Sequence, residues 1–265
     1  MSTSEAGMGA SASKSSSTLQ AGALTAQLPE MGVIAGQAAA TTDVKEYESV
    51  LGSEFKKCEV HPIDLDCGRY AVFCPEVLSP KECRSLIQLI EKTGFEPALV
   101  NIGGGHQMKD TSVRNNDRCM VDCPEFASQL FHRIKHALPE KFKGARAVGA
   151  NERLRFLRYY PGQYFAPHYD GLFRRDDGSG EFSMITLQLY LNGDCEGGAT
   201  TFMGEKPGNP EEDVPVIPQM GSVLLFEHKI LHEGSVLKKG VKYAMRTDIM
   251  FTHREEDADS GYSSA

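Results

Sequence analysis

Six short apolar runs, at 154–160, 184–191, 199–202, 214–217, 222–226 and 242–251, follow one another with Gly, Pro and Asn turns between them. Runs of that length, so closely punctuated, read as strands rather than helices, and a regular series of them predicts a sandwich or barrel. The chain ahead of them has the other period. Ser79 can cap a helix, Pro80 sits where its missing N–H costs nothing, Glu82 completes a capping box, and Gly94 ends it. Cys83, Leu86, Ile87 and Ile90 share one face of that helix. A second helix is predicted from Pro124, with Asp122 and Glu125 repeating the capping logic and Phe126, Leu130, Ile134 and Leu138 as its buried stripe. Helices first and strands afterwards imply an α+β domain whose N-terminal helices brace one sheet.

Residues 1–43 are rich in Ser, Ala, Gly and Thr and carry too little apolar area to offset the entropy of ordering, so a disordered tail is expected there. One domain is expected over 44–252, with helical support at 78–150 and a strand-built core at 151–252, and then a frayed acidic tail at 253–265. The net charge of −8 and pI near 5.5 argue against a nucleic-acid surface or an anionic membrane as partner. Seven cysteines, an odd number with no C-x-x-C pair and no secretory signal, read as reduced thiols. That points to the cytoplasm or nucleus.

The chemistry concentrates at His168 and Asp170. In extended backbone, residues two apart point the same way, so one imidazole and one carboxylate can reach a single ion. A third ligand is available from the segment after the run 222–226, at His228 or His232. Two imidazoles and a carboxylate leave part of the coordination sphere open, which suits an oxygen-activating non-haem Fe(II). Gly103, Gly104 and Gly105 lack the following Lys-Ser/Thr of a phosphate loop and read as a hairpin flap. The loop 171–180 reads as a lid, with Arg174 and Arg175 as candidates to contact an acidic or peptide substrate. His132 and His136 have metal-ligand spacing but lie off the apolar stripe, as a solvated face would.

The order of these pieces strengthens the weak H-x-D motif. His168 and Asp170 are followed by Tyr190-Leu-Asn192, by the Gly197-Gly-Ala-Thr-Thr-Phe202 run, by His232-Glu-Gly, and by Lys242 ten residues on. In this the sequence resembles the prolyl 4-hydroxylase-like branch of the Fe(II)/2-oxoglutarate dioxygenases over roughly residues 72–251. The resemblance implies a double-stranded β-helix (jelly-roll) core, with His168, Asp170 and His232 as metal ligands and His228 lining the approach. It implies Fe(2+), 2-oxoglutarate and O2, with ascorbate as reductant, and no catalytic side chain beyond the metal ligands. Lys242 takes the place of the family's co-substrate cation, and Arg246, four further along and of the same parity, stays open as the alternative anchor. Tyr190 and Tyr160 resemble tyrosines that contact 2-oxoglutarate. The activity so implied is hydroxylation of a C–H bond in a protein or peptide, with release of succinate and CO2. The alternatives are the same chemistry on a free amino acid or metabolite, and a non-catalytic binding module.

Overall fold

The strand Phe182–Tyr190 is buried along nearly its whole length, a pattern that requires cover on both faces. The computed structural model describes residues 44–65, 68–103, 106–204 and 212–254, and supplies that cover from two sides. The tail expected at 1–43 and all but the first two residues of the one expected at 253–265 lie outside the described residues.

A nine-stranded sheet runs in the order His61–Pro62, Ala71–Cys74, Val223–Glu227, Phe182–Tyr190, Lys242–Thr252, Arg153–Tyr159, Asp117–Asp122 and Glu96–Pro97, with Arg146–Ala150 pairing the far end of Lys242–Thr252. A smaller four-stranded sheet is ordered Val214–Val216, Thr200–Phe202, His232–Gly234 and Phe165–His168. Every pairing in the two sheets is antiparallel. The predicted strands are thus present, each shifted by no more than two residues at either end.

Side chains alternate across the large sheet, and the two faces do different things. Leu154, Phe156, Ile185, Leu187, Leu189, Val223, Leu225 and Met245 pack on one face against Leu86, Ile90, Phe126, Leu130 and Ile134 of the helices. On the other face Tyr190, Leu224, Phe226 and Ala244 meet Phe202 and Val216 of the small sheet. Between the two sheets the packing is incomplete, and that gap is the site described below.

The helix Pro80–Thr93 begins as its sequence dictates. Ser79 Oγ accepts from the Glu82 N–H at 3.3 Å, while Glu82 Oε2 accepts from the Ser79 N–H at 2.7 Å. The same Glu82 carboxylate receives Arg133 of the second helix at 2.7 Å, so one acid caps one helix and ties it to the other. Gly221 fastens this layer to the sheet. It sits at φ +78°, and a Cβ there would lie 2.0 Å from the Leu78 carbonyl oxygen.

The second helix, Pro124–Ile134, buries Phe126, Leu130 and Ile134 as expected, but its start differs. Its N-cap is Cys123, with no side-chain hydrogen bond. Asp122 instead accepts from Arg153 at 2.9 and 2.8 Å. Asp122 ends a strand in register with Arg153, so its side chain is directed across the ladder and not over the helix. Among the described residues no helix is long and apolar enough to cross a membrane.

Candidate metal centre

The register of the small sheet brings the triad together. His232 stands directly opposite His168 on the neighbouring strand, and Asp170 follows just past the strand end, its N–H held by the His228 carbonyl at 3.1 Å. One ligand atom from each of His168, Asp170 and His232 falls within 4.8 Å of the others, a group that could hold a metal ion. The Nε2 atoms of the two histidines each lie 3.8 Å from an Asp170 oxygen.

Both imidazoles are prepared for that use. His168 Nδ1 donates to the Ala166 carbonyl at 2.8 Å and His232 Nδ1 to the Ile230 carbonyl at 3.0 Å, which fixes the tautomer and leaves each Nε2 with its lone pair facing inward. Burial, and then the neighbouring His232, push His168 down to about 4. Burial lowers His232 as well. The rings are therefore neutral near pH 7, and their approach to Asp170 is not an ion pair.

Asp170 is ionised for a different reason. Burial pulls its pKa upward, but the Arg246 guanidinium, the two imidazoles and Thr186 outweigh this and hold it well below the usual carboxylate range. Thr186 Oγ1 donates to Asp170 Oδ2 at 2.5 Å and Arg246 Nη2 to Oδ1 at 2.9 Å. Two neutral imidazoles and one charged carboxylate are the donor set that Fe(II) takes, so the residues present fit the metal.

A cavity of about 420 Å³ opens beside the triad, lined by His168, Asp170 and His232 together with Lys242, Arg246, Tyr159, Thr200 and others from both sheets. Lys242 is 3% exposed, and burial lowers its ammonium to about 8. Its Nζ donates to the Gly198 carbonyl at 2.5 Å and lies over the rings of Tyr159 and Tyr190, yet among the described residues it meets no carboxylate. A buried cation so placed fits the far carboxylate of a small organic diacid. Arg246 shares the cavity wall, as its parity predicts, but its Nη2 is already spent on Asp170 and Asp248.

The tyrosines divide. Tyr190 is fully buried beneath Lys242 and donates its hydroxyl to Thr200 Oγ1 at 2.8 Å, so Thr200 and not Tyr190 reaches the cavity wall. Tyr160 is 40% exposed and absent from the cavity. The expectation for it is corrected by parity. Tyr159 is the last residue of Arg153–Tyr159 and points inward opposite Lys242, so its neighbour points out.

Two further expectations are corrected. His228 does not line the approach; it is buried outside the cavity wall with Nε2 3.4 Å from Asp248 Oδ1, and neither ring nitrogen makes a hydrogen bond. Arg175 is clamped by Glu152 at 2.6 Å and Glu181 at 2.9 Å, and Arg174 lies over the Phe182 ring. Neither lines the cavity. Of the expected lid, Gly171, Leu172 and Phe173 do line it, and Phe173 is pinned by Ser183, whose Oγ accepts from the Phe173 N–H at 2.9 Å. Of the expected flap, Gly104 and Gly105 lie outside the described residues, while the flanking strands Val100–Gly103 and His106–Met108 pair and give Val100 and Gln107 to the wall. Sequence reasoning missed Arg114 and Arg155, which also face the cavity. Neither stands in a recognisable motif; the parity of the strand before Tyr159 could have found Arg155.

Residues 154–247 match the family model for the 2OG-Fe(II) oxygenase superfamily. No curated protein matches the chain. Among solved structures, a prolyl hydroxylase from Trichoplax adhaerens in complex with a hypoxia-inducible-factor oxygen degradation domain peptide fragment aligns at 15% identity over 68% of this chain and 82% of that one, with a TM-score of 0.52. A Pseudomonas putida prolyl-4-hydroxylase aligns at 19% identity over 71% and 95%, TM-score 0.48. A collagen prolyl hydroxylase of Paramecium Bursaria Chlorella virus-1, solved with 2OG, aligns at 23% identity over 71% and 99%, TM-score 0.44. At these identities the first of the three speaks to the fold alone.

Proposed function

We propose, from the match of residues 154–247 to the 2OG-Fe(II) oxygenase family model, that the chain is a dioxygenase using Fe(2+), 2-oxoglutarate and O2 that hydroxylates a prolyl residue in a protein or peptide. The observation that carries the reading is the convergence of His168, Asp170 and His232 on a cavity that is also lined by the buried Lys242, which meets no carboxylate among the described residues. The two layers of antiparallel strands around that cavity support a jelly-roll core.

Each residue then has a task. His168, Asp170 and His232 would hold the iron, and Thr186 and Arg246 fix the Asp170 carboxylate between them. Lys242 pairs with the far carboxylate of 2-oxoglutarate, and Thr200, oriented by Tyr190, is placed to add a hydrogen bond to the same group. Arg246, whose Nη2 already meets Asp170 and Asp248, is the second choice for that role. When bound, the iron and its co-substrate couple oxidative decarboxylation, to succinate and CO2, to insertion of one oxygen of O2 into a C–H bond. No side chain has to act as acid or base; the walls supply orientation and exclude water. The choice of proline draws on the sequence resemblance and on the fold shared with the Trichoplax enzyme.

Anaerobic addition of Fe(II) and 2-oxoglutarate tests the premise. The visible charge-transfer band of the chelate is expected, with succinate release stimulated by proline-containing peptides. A protein that gives no band is not this enzyme.

A further inference from the structure

The whole chain carries a net charge of −8, yet the cavity has the opposite character. Five cations line it, Arg114, Arg118, Arg155, Lys242 and Arg246, against three carboxylates, Asp170, Glu233 and Asp248. A ferrous ion and the 2-oxoglutarate dianion would cancel each other and leave that imbalance standing. Two of the cations are matched locally. Arg118 donates to Glu96 at 3.2 Å and Gln107 at 2.9 Å, and Arg246 is held by Asp170 and Asp248. Lys242 is reserved for the co-substrate.

Arg114 and Arg155 remain. Arg114 gives two hydrogen bonds, at 3.0 and 2.9 Å, to the neutral Asn116 Oδ1 and lies 4.1 Å above the Phe165 ring, with no carboxylate partner among the described residues. Phe165 is the ring that stacks on His168 at 3.6 Å, so this guanidinium stands one aromatic ring away from the metal triad. Arg155 makes one long hydrogen bond, at 3.4 Å, to Asp248 Oδ2, while Arg246 takes the other oxygen of that acid, so the two guanidinium groups share a single carboxylate. Burial lowers both guanidinium pKa values, the direction expected where water is withdrawn from a charge that no partner fully repays. At the mouth, Tyr169, Leu172 and Phe173 are 62%, 54% and 40% exposed, an apolar rim beside a basic interior.

We propose that the substrate carries a carboxylate, which Arg114 and Arg155 bind inside the cavity while its apolar part rests on the rim of Tyr169, Leu172 and Phe173. This deepens the hydroxylase reading and rests on it. The carboxylate belongs either to an acidic side chain beside the target residue of a peptide or to a small free acid. A guanidinium grips it through paired N–H donors and rejects the amide of equal size.

The test uses the full chain loaded anaerobically with Fe(II) and 2-oxoglutarate and two sets of matched probes. One set is short proline peptides with Glu, or Gln, before or after the proline; the other is N-acetylproline and its amide. Binding is read as perturbation of the chelate band, and turnover as succinate formed on admitting oxygen. The acid of at least one set should bind about thirtyfold more tightly than its amide. A preference within the peptides assigns an acidic peptide; one within N-acetylproline assigns a small acid. Arg114→Gln, and separately Arg155→Gln, should bring the acid down to the affinity of its amide and leave the amide unmoved, and Arg114→Lys should restore part of the difference. A merely structural defect would weaken both members alike. A normal chelate band with no difference in any pair overturns this inference alone, whereas loss of the band in the wild-type protein overturns the hydroxylase reading. The wild-type comparison stands even should a variant fail to fold.

Discussion

Arg246 donates to Asp170, a candidate metal ligand, and to Asp248, a buried acid, through the same Nη2 atom at 2.9 and 3.1 Å. One guanidinium therefore balances the ligand carboxylate before any ion arrives, and Thr186 takes the other carboxylate oxygen from behind. The ligand is aimed by the fold and does not wait for the metal to aim it.

Thr186→Val removes the hydroxyl at nearly constant volume and frees Asp170 to turn. Iron affinity should fall about 10- to 100-fold, the usual cost of losing a partner behind a metal ligand, while thermal stability changes little. Titration with Fe(II) under argon, followed by the chelate band, measures this. An unchanged affinity would show that Arg246 suffices to orient the ligand.

Lys242 sets a pH limit. Burial brings its ammonium down to about 8, so it is charged below that pH and neutral above it. The KM for 2-oxoglutarate should be flat below about pH 8 and rise up to about tenfold per unit above it. In the co-substrate-free protein the sign for stability is opposite: the buried charge destabilises below about pH 8, and the penalty is relieved as pH climbs toward the ordinary lysine value. Lys242→Arg should carry the flat region to higher pH, and Lys242→Met should raise KM at every pH. A KM independent of pH in the wild type would move the anchor elsewhere.

Tyr160→Ala should leave the KM for 2-oxoglutarate within about twofold of wild type, since surface changes away from a site are worth little. Tyr159→Ala, which opens the cavity wall beside Lys242, should raise it. Steady-state kinetics on the two variants decide between the neighbours.

Glu82→Gln should cost about 3 kcal/mol at pH 7, because it strands the buried guanidinium of Arg133 and weakens the helix cap at once. Burial raises the Glu82 pKa, but the Arg133 hydrogen bond and the three from Gly52 and Ser79 overcome it and bring it from 4.5 to about 2. A depressed carboxylate stabilises above its unfolded pKa, so the wild-type advantage over Glu82→Gln should be complete above about pH 5 and shrink as pH falls toward 2. Urea denaturation of both proteins across that range measures the shrinkage.

Local signals carried much of this structure into the sequence. The Ser79, Pro80 and Glu82 signature specifies a helix start without help from the rest of the chain, and the apolar runs specify strands because both faces of the large sheet are covered. The triad was legible because His168 and Asp170 lie two apart, and the family resemblance picks His232 over His228 in the segment after the run 222–226. What the sequence hid depends on partners far away in the chain. Asp122 abandons the helix because Arg153 faces it across a ladder. Tyr160 loses to Tyr159 because a strand ends one residue earlier than the apolar run. Arg175 looks free in sequence, and only the folded chain sets Glu152 and Glu181 around it.

Along the smaller sheet, His168 and His232 share a well-matched rung, and the ladder then slips a residue before Gly234 meets Phe165. An ion held by both imidazoles would act as a staple at that rung, joining two short strands whose own backbone pairing is irregular. Occupancy should thus be felt as slower amide exchange along 165–168 and 232–234, while the interior of the larger sheet keeps its rates. Loading the centre would stiffen the wall that carries Phe165, and through that ring the footing of Arg114.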